Sequence, residues 1–227
     1  MIGVICAMEK EKEPFLKLMS DIHEEIVCEH LYQIGKINDK EICLTVSNIG
    51  KVASAIVCTQ MMDHFNINLV INCGVAGGLK DEEELMDIVV CNRLTYHDWI
   101  EDTINGRKAS FENNMYSFVC DPQYALKAKQ IGEGKYNIIY GDGVSGDMFV
   151  TKNEVARIIE SYPSAYMADM ESGSIAQCCE CYKVPYLIIR CLSDIVTKEN
   201  NIDTYFEVVM AAAEKAAQFT ALVIENL

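Results

Sequence analysis

Val70-Ile71-Asn72-Cys73-Gly74-Val75-Ala76-Gly77-Gly78-Leu79 decides the fold. Its first half, with Leu69 before it, is a short apolar run of the kind that forms a buried strand. The glycines that follow predict a turn, because glycine tolerates positive φ. A strand that opens into a Gly-rich turn is where α/β sheets place their ligands. The run lacks the Gly-x-x-x-x-Gly-Lys-Ser/Thr pattern, which excludes a P-loop.

Outward from this stretch, Ile2–Ala7, Ile42–Ser47, Leu69–Cys73, Ile88–Cys91, Asn137–Tyr140 and Tyr186–Cys191 read as further short buried strands rich in Val and Ile. Helical patterns separate them. From Val52 the residues Val52, Ala55, Ile56, Thr59 and Met62 share one helical face. Asn153–Tyr162 and Met170–Cys181 read as helices, the latter followed by Pro185. An unbroken Ala-rich helix runs from about Tyr205 to Ile224. Strands alternating with helices predict a single α/β domain over residues 1–227, a central mixed β-sheet flanked by helices.

Composition narrows the function. The 227 residues are half hydrophobic and carry a net charge of −15. An acidic surface repels nucleic acid and anionic lipid, so neither nucleic acid nor membrane is an expected partner. Arginine, favoured for phosphate recognition, occurs only at 93, 107, 157 and 190. The eleven cysteines are scattered through apolar runs and read as reduced core residues of a cytoplasmic protein. Cys178-Cys179-Glu180-Cys181 has no second Cys/His pair at zinc spacing, and no metal is expected. The apolar start followed by Glu9-Lys10-Glu11-Lys12-Glu13 is unlike a signal peptide. The acidic run Asp81–Glu84 reads as a solvated loop tip.

Four segments near predicted strand ends carry the chemistry: Cys6–Glu11, Asn72–Leu79, Val144–Phe149, and Ala168–Glu171 with Arg190–Asp194. Taken singly, each residue has an ordinary role available. Glu11, in the first turn of a helix, would face water and favour the dipole. Asp194 would cap a following helix. Glu171 would solvate its helix, and Phe149 would fill the core.

Taken together, they resemble the methylthioadenosine/S-adenosylhomocysteine nucleosidases of the nucleoside phosphorylase superfamily. The resemblance runs in order through Gly3–Glu11, Ile49-Gly50-Lys51-Val52-Ala53, Asn72–Leu79, Tyr96-His97-Asp98, Val144-Ser145-Gly146-Asp147, Asp169-Met170-Glu171 and Arg190–Asp194. It is weakest between Trp99 and Tyr136.

The resemblance implies hydrolysis of the N-glycosidic bond of an adenine nucleoside, with one carboxylic acid and one carboxylate as acid and base. Asp194 then protonates adenine and Glu11 activates water. Glu171, with the backbone amide of Met170, holds the ribose hydroxyls. Phe149 stacks on the base and the backbone of Val150 bonds its edge. Met8, Ile49 and Tyr205 line the sugar and 5′ side, Val75 and Ser193 complete the substrate site, and Arg190 orients Glu11 or the water. No cofactor is implied. A homodimer is, with the region Trp99–Asn114 closing a neighbour's pocket. In this family Val75 stands where serine is usual, and Asp169 where glutamate is usual, the latter an exchange that keeps the charge.

Two other readings compete. A purine nucleoside phosphorylase of the same fold needs an Arg-built phosphate site, and Met8-Glu9 and Asn72-Cys73 stand where such arginines belong. A nucleoside-binding relative without catalysis would have no use for Glu11, Glu171 and Asp194 together.

Overall fold

The computed structural model describes residues 1–99, 109–112, 116–198 and 201–227. In chain order its elements are β1 (Ile2–Cys6), α1 (Glu9–Leu16), β2 (Ser20–Val27), β3 (His30–Ile37), β4 (Lys40–Val46), α2 (Lys51–His64), β5 (Leu69–Gly78) and β6 (Ile88–Tyr96). There follow β7 (Phe118–Val119), α3 (Pro122–Gly132), β8 (Ile138–Ser145), α4 (Lys152–Ser161), β9 (Ala165–Asp169), α5 (Ser172–Tyr182), β10 (Tyr186–Ile195) and α6 (Asn201–Glu225).

The strands form one mixed sheet in the order β10-β6-β8-β9-β5-β1-β4-β3-β2, with β7 on the edge of β6. β5 also pairs with β10, so the first five strands of that order close on themselves. β1, β5 and β10 run parallel at the centre, and every residue of β1 and β10 is buried. This burial on both faces explains their near-continuous apolar sequences. α6 packs on β10 and β5, and α2 packs on α5. The α/β class with a mixed central sheet is therefore as the sequence predicts.

The strands that carry the site are longer than their apolar runs. β5 continues as strand through Gly74–Gly78, where the glycines predict a turn. β10 continues through Asp194 to Ile195, so Asp194 is a strand residue and not a helix cap. Pairing against β5 supplies these segments with a backbone ladder that their side chains do not advertise.

Other expectations are corrected. The buried face of α2 is Ser54, Val57, Cys58 and Met61, while Val52 and Ile56, on the predicted apolar face, are exposed. In the acidic run, Glu83 is buried rather than solvated. Its Oε2 accepts the amide of Lys80 at 3.0 Å, and burial pushes its carboxyl up to about 8. No helix of the described residues is long and apolar enough to cross a membrane.

Candidate active site

The ends of β1, β5, β9 and β10 converge on one cleft of about 610 Å³ including its open mouth. Met8, Glu11, Ile49, Val75, Phe149, Val150, Met170, Glu171, Ser193, Asp194 and Tyr205 all line it. Arg190 does not. It lies fully buried behind the wall.

Glu11 reaches the cleft from the first turn of α1, yet its side chain is buried. The cause is backbone capture. Its Oε2 accepts the amides of Ala7 and Met8, both at 2.9 Å, and its Oε1 accepts the amide of Val75 at 2.9 Å. The contact with position 75 is thus made by main chain. Burial raises the Glu11 carboxyl above its ordinary range, opposed by Arg190 and these amides. A carboxylate with a raised pKa is a stronger base near neutrality. The space it occupies requires glycine at 74: a Cβ there would lie 2.5 Å from Glu11 Oε1 and collide with Arg190 Nη1.

Glu171 sits between β9 and α5. Its Oε1 accepts the amide of Gly50 at 3.1 Å, and its Oε2 lies 3.4 Å from Arg190 Nη2. Gly50, at φ +101°, is the residue before α2, a backbone geometry that L side chains rarely adopt. Burial pushes the Glu171 carboxyl up to about 7, with Arg190 opposing and Asp169 adding to the shift.

The resemblance implies that Arg190 orients Glu11 or the water. Its Nη2 contacts Asp169 at 2.7 Å, Asn72 Oδ1 at 2.6 Å, Ser172 Oγ at 3.0 Å and Glu171. Asp169 is more than a retained charge, since it also accepts hydrogen bonds from the hydroxyls of Ser145 and Ser172. Burial disfavours the guanidinium, but Asp169, Glu171 and Glu11 together hold its pKa above the ordinary value. Arg190 therefore acts on Glu11 through its field, while its hydrogen bonds go to the Asp169–Glu171 side.

Asp194 is buried and accepts a hydrogen bond from Ser193 Oγ at 3.0 Å. Between Leu192 and Asp194 the pairing of β10 with β5 slips: Leu192 lies opposite Ala76 and Asp194 opposite Gly77. This bulge lets two consecutive residues, Ser193 and Asp194, both line the cleft, which regular strand alternation would forbid.

Phe149 and Val150 come from the loop after β8. That loop is tied down by Asp147, whose Oδ1 accepts the amide of Lys51 at 2.7 Å and whose own amide donates to Asp98 Oδ2 at 2.7 Å. Phe149 meets Tyr205 edge-on, with ring centroids 5.4 Å apart. The sequence reading missed Met148 and Val196, which also line the cleft. It also missed the polar support made by Asn72, Ser145 and Ser172. The signal available was Asn72 itself, a polar residue inside an apolar strand. Most of Trp99–Asn114, expected to reach a neighbour's pocket, lies outside the described residues.

Among the described residues lining the cleft, the charged side chains are Glu11, Asp169, Glu171 and Asp194. None is a cation, and the nearby Arg190 pairs through Nη2 with Asp169 and Glu171.

The pattern of the phosphorylase superfamily matches residues 1–226. A 5′-methylthioadenosine/S-adenosylhomocysteine nucleosidase of Glaesserella parasuis serovar 5 (strain SH0165) is 33% identical over 99% of this chain and 98% of its own. The structure of the S-adenosylhomocysteine nucleosidase of Streptococcus pyogenes, in complex with 5-methylthiotubericidin, superposes with a TM-score of 0.92 at 30% identity, covering 100% of this chain and 96% of the other. Futalosine hydrolase of Helicobacter pylori superposes with a TM-score of 0.91 at 26% identity, over 100% and 97% of the two chains. With this match across the full length, the chain belongs to the phosphorylase superfamily and, within it, to the family of the 5′-methylthioadenosine/S-adenosylhomocysteine nucleosidases.

Proposed function

We propose that the cleft hydrolyses the N-glycosidic bond of 5′-substituted adenine nucleosides, with the family's methylthio and homocysteinyl compounds as substrates. The observation that carries this reading is the charge of the cleft: buried carboxylates and no cation among the described lining residues. Such a wall suits water and repels a phosphate dianion.

Asp194 donates a proton to adenine N7 as the C1′–N9 bond breaks and its electron pair leaves with the base. Glu11 takes a proton from the water whose oxygen bonds to C1′. Glu171 holds the ribose hydroxyls beside the Met170 amide, and its negative charge stabilises the cationic sugar of the transition state. Phe149 stacks on adenine, and the Val150 backbone reads the base edge. Arg190 and Asp169 are positioning residues, because they act through Glu171 and Glu11.

Incubation with 5′-methylthioadenosine tests the reaction class. Adenine should appear at one rate with and without phosphate. A strict phosphate requirement with ribose-1-phosphate as product would place the chain with the phosphorylases, and tight binding with no adenine released would make it a binding protein.

The exposed Val52 and Ile56 of α2, close in sequence to Ile49 at the cleft, support a homodimer, which sedimentation at micromolar concentration reads directly. Eleven unpaired cysteines, most of them buried, support a reducing, cytoplasmic location, which cell fractionation checks.

A further inference from the structure

The 5′ end of the cleft is lined by apolar groups and finishes in a polar pair. Met8 and Ile49 form its walls together with the ring of Tyr205. The Tyr205 hydroxyl lies 3.6 Å from Met8 Sδ and accepts a hydrogen bond from Lys10 Nζ at 3.2 Å. The same ammonium lies 4.9 Å from the centroid of the Tyr205 ring. Lys10 is half-buried, and among the described residues it has no carboxylate partner, whereas its neighbour Glu9 is paired with Lys12 at 2.7 Å. A cation held against Tyr205, a lining residue of an otherwise anionic cleft, on a protein of net charge −15, answers no need of a methylthio group.

We propose that Lys10 and Tyr205 form a subsite for a carboxylate carried on the nucleoside's 5′ substituent, beyond an apolar spacer that packs on Met8 and Ile49. The proposal rests on the nucleosidase reading above, which places the 5′ group at Tyr205. An ammonium and a phenol hydroxyl offer convergent donors to a carboxylate. The ammonium's hold on Tyr205 keeps both donors in place before the substrate arrives. A substituent that is net anionic gains most, and one bearing an ammonium beside its carboxylate gains less. The attraction is local, because the protein's own charge opposes an anion at long range and salt screens it over about 8 Å at physiological strength.

The test compares two synthetic adenosines of nearly equal length, one with a 5′-(3-carboxypropyl)thio group and one with a 5′-butylthio group, and S-adenosylhomocysteine as the zwitterionic arm. The wild-type protein should favour the carboxylate over the butyl compound in kcat/KM by roughly tenfold, mainly through KM. S-adenosylhomocysteine should fall between them, and the preference should shrink as salt is raised. Lys10→Met should bring the ratio to about one, and Lys10→Arg should keep it. A ratio near one in the wild type, or a ratio unmoved in Lys10→Met, would overturn the subsite and leave the nucleosidase reading intact. No adenine from any of the three compounds would overturn the nucleosidase reading, and the subsite with it.

Discussion

Glu11 and Val75 are 64 positions apart in the chain and are joined by a 2.9 Å hydrogen bond from the Val75 amide to Glu11 Oε1. This bond ties the first turn of α1 to the middle of β5. With the amides of Ala7 and Met8 it fixes the carboxylate in the wall of the cleft, leaving no freedom for the side chain to turn to solvent. The main-chain donors fix the position of Glu11 and oppose the rise of its pKa, so its added basicity comes from burial alone.

Glu11→Gln removes the base while Gln can still accept from part of that frame. Turnover should fall by at least ~10²-fold, the usual scale for lost acid–base catalysis, with binding of a substrate analogue largely kept. Asp194→Asn should cost at least as much in turnover. Steady-state rates of adenine release, together with calorimetric titration of a non-hydrolysable analogue, separate the two effects. Near-normal turnover in either variant removes that residue from the mechanism.

Arg190 is the buried hub, and its loss strands Asp169 and Glu171 without their counter-charge. Removing one partner of a buried ion pair costs about 3–5 kcal/mol. Arg190→Met should lower the urea midpoint accordingly. Asp169→Asn added to it should restore part of the loss, because a neutral amide costs less to bury unpaired. Fully additive losses in the double variant would mean that the two side chains are not energetically coupled.

The element pattern was legible where burial is two-sided. The apolar cores of β1, β5 and β10 stand out because both faces are covered. Their continuations were not legible, because Gly74–Gly78 and Ser193-Asp194 look like loop when read alone. What makes them strand is the β5–β10 pairing, a contact between segments over a hundred positions apart. The β2–β3 hairpin was invisible for another reason. Its two turn residues, Cys28 and Glu29, take φ of 48° and 70°, a conformation normally advertised by Asn or Gly. β2 itself is almost wholly exposed, so no apolar alternation marks it. The cleft lining was legible through the family motifs. The Arg190 network behind it was not, because Ser145, Asn72 and Ser172 meet only in the folded chain.

Glu83 gives the fold a pH dependence whose sign follows from its burial. Its folded pKa is about 8 against an ordinary 4.5, so across that window the folded state holds a proton that the unfolded chain has released. Stability from this group is full below the ordinary carboxylate range and declines as pH rises, by at most about 1.4 kcal/mol per pH unit. Glu83→Gln keeps an acceptor for the Lys80 amide and cannot ionise. Its stability relative to the wild type should rise steadily between pH 5 and pH 8 in urea titrations. A difference independent of pH would show that Glu83 is ionised in the folded protein.

Val75 tests how water is held. The amide of this residue already secures Glu11, so a side-chain hydroxyl is not needed to place the base. What valine lacks, compared with the serine usual in the family, is a donor and acceptor facing the cleft beside Glu11. A lost hydrogen bond to a charged or reacting group is worth about 1.5–3 kcal/mol, or roughly ten- to a hundredfold in rate. Val75→Ser should therefore raise kcat. It should also cost stability, on the order of 1 kcal/mol, because Val75 is a buried residue whose methyl groups pack in the wall. Val75→Thr separates the two effects, since it adds the hydroxyl and keeps one methyl. If the water is bound by a hydroxyl at this position, both variants gain turnover and Thr loses less stability than Ser. If both leave kcat unchanged or lower it, the water is held by Glu11 and the main chain alone, and the cleft has been built around valine.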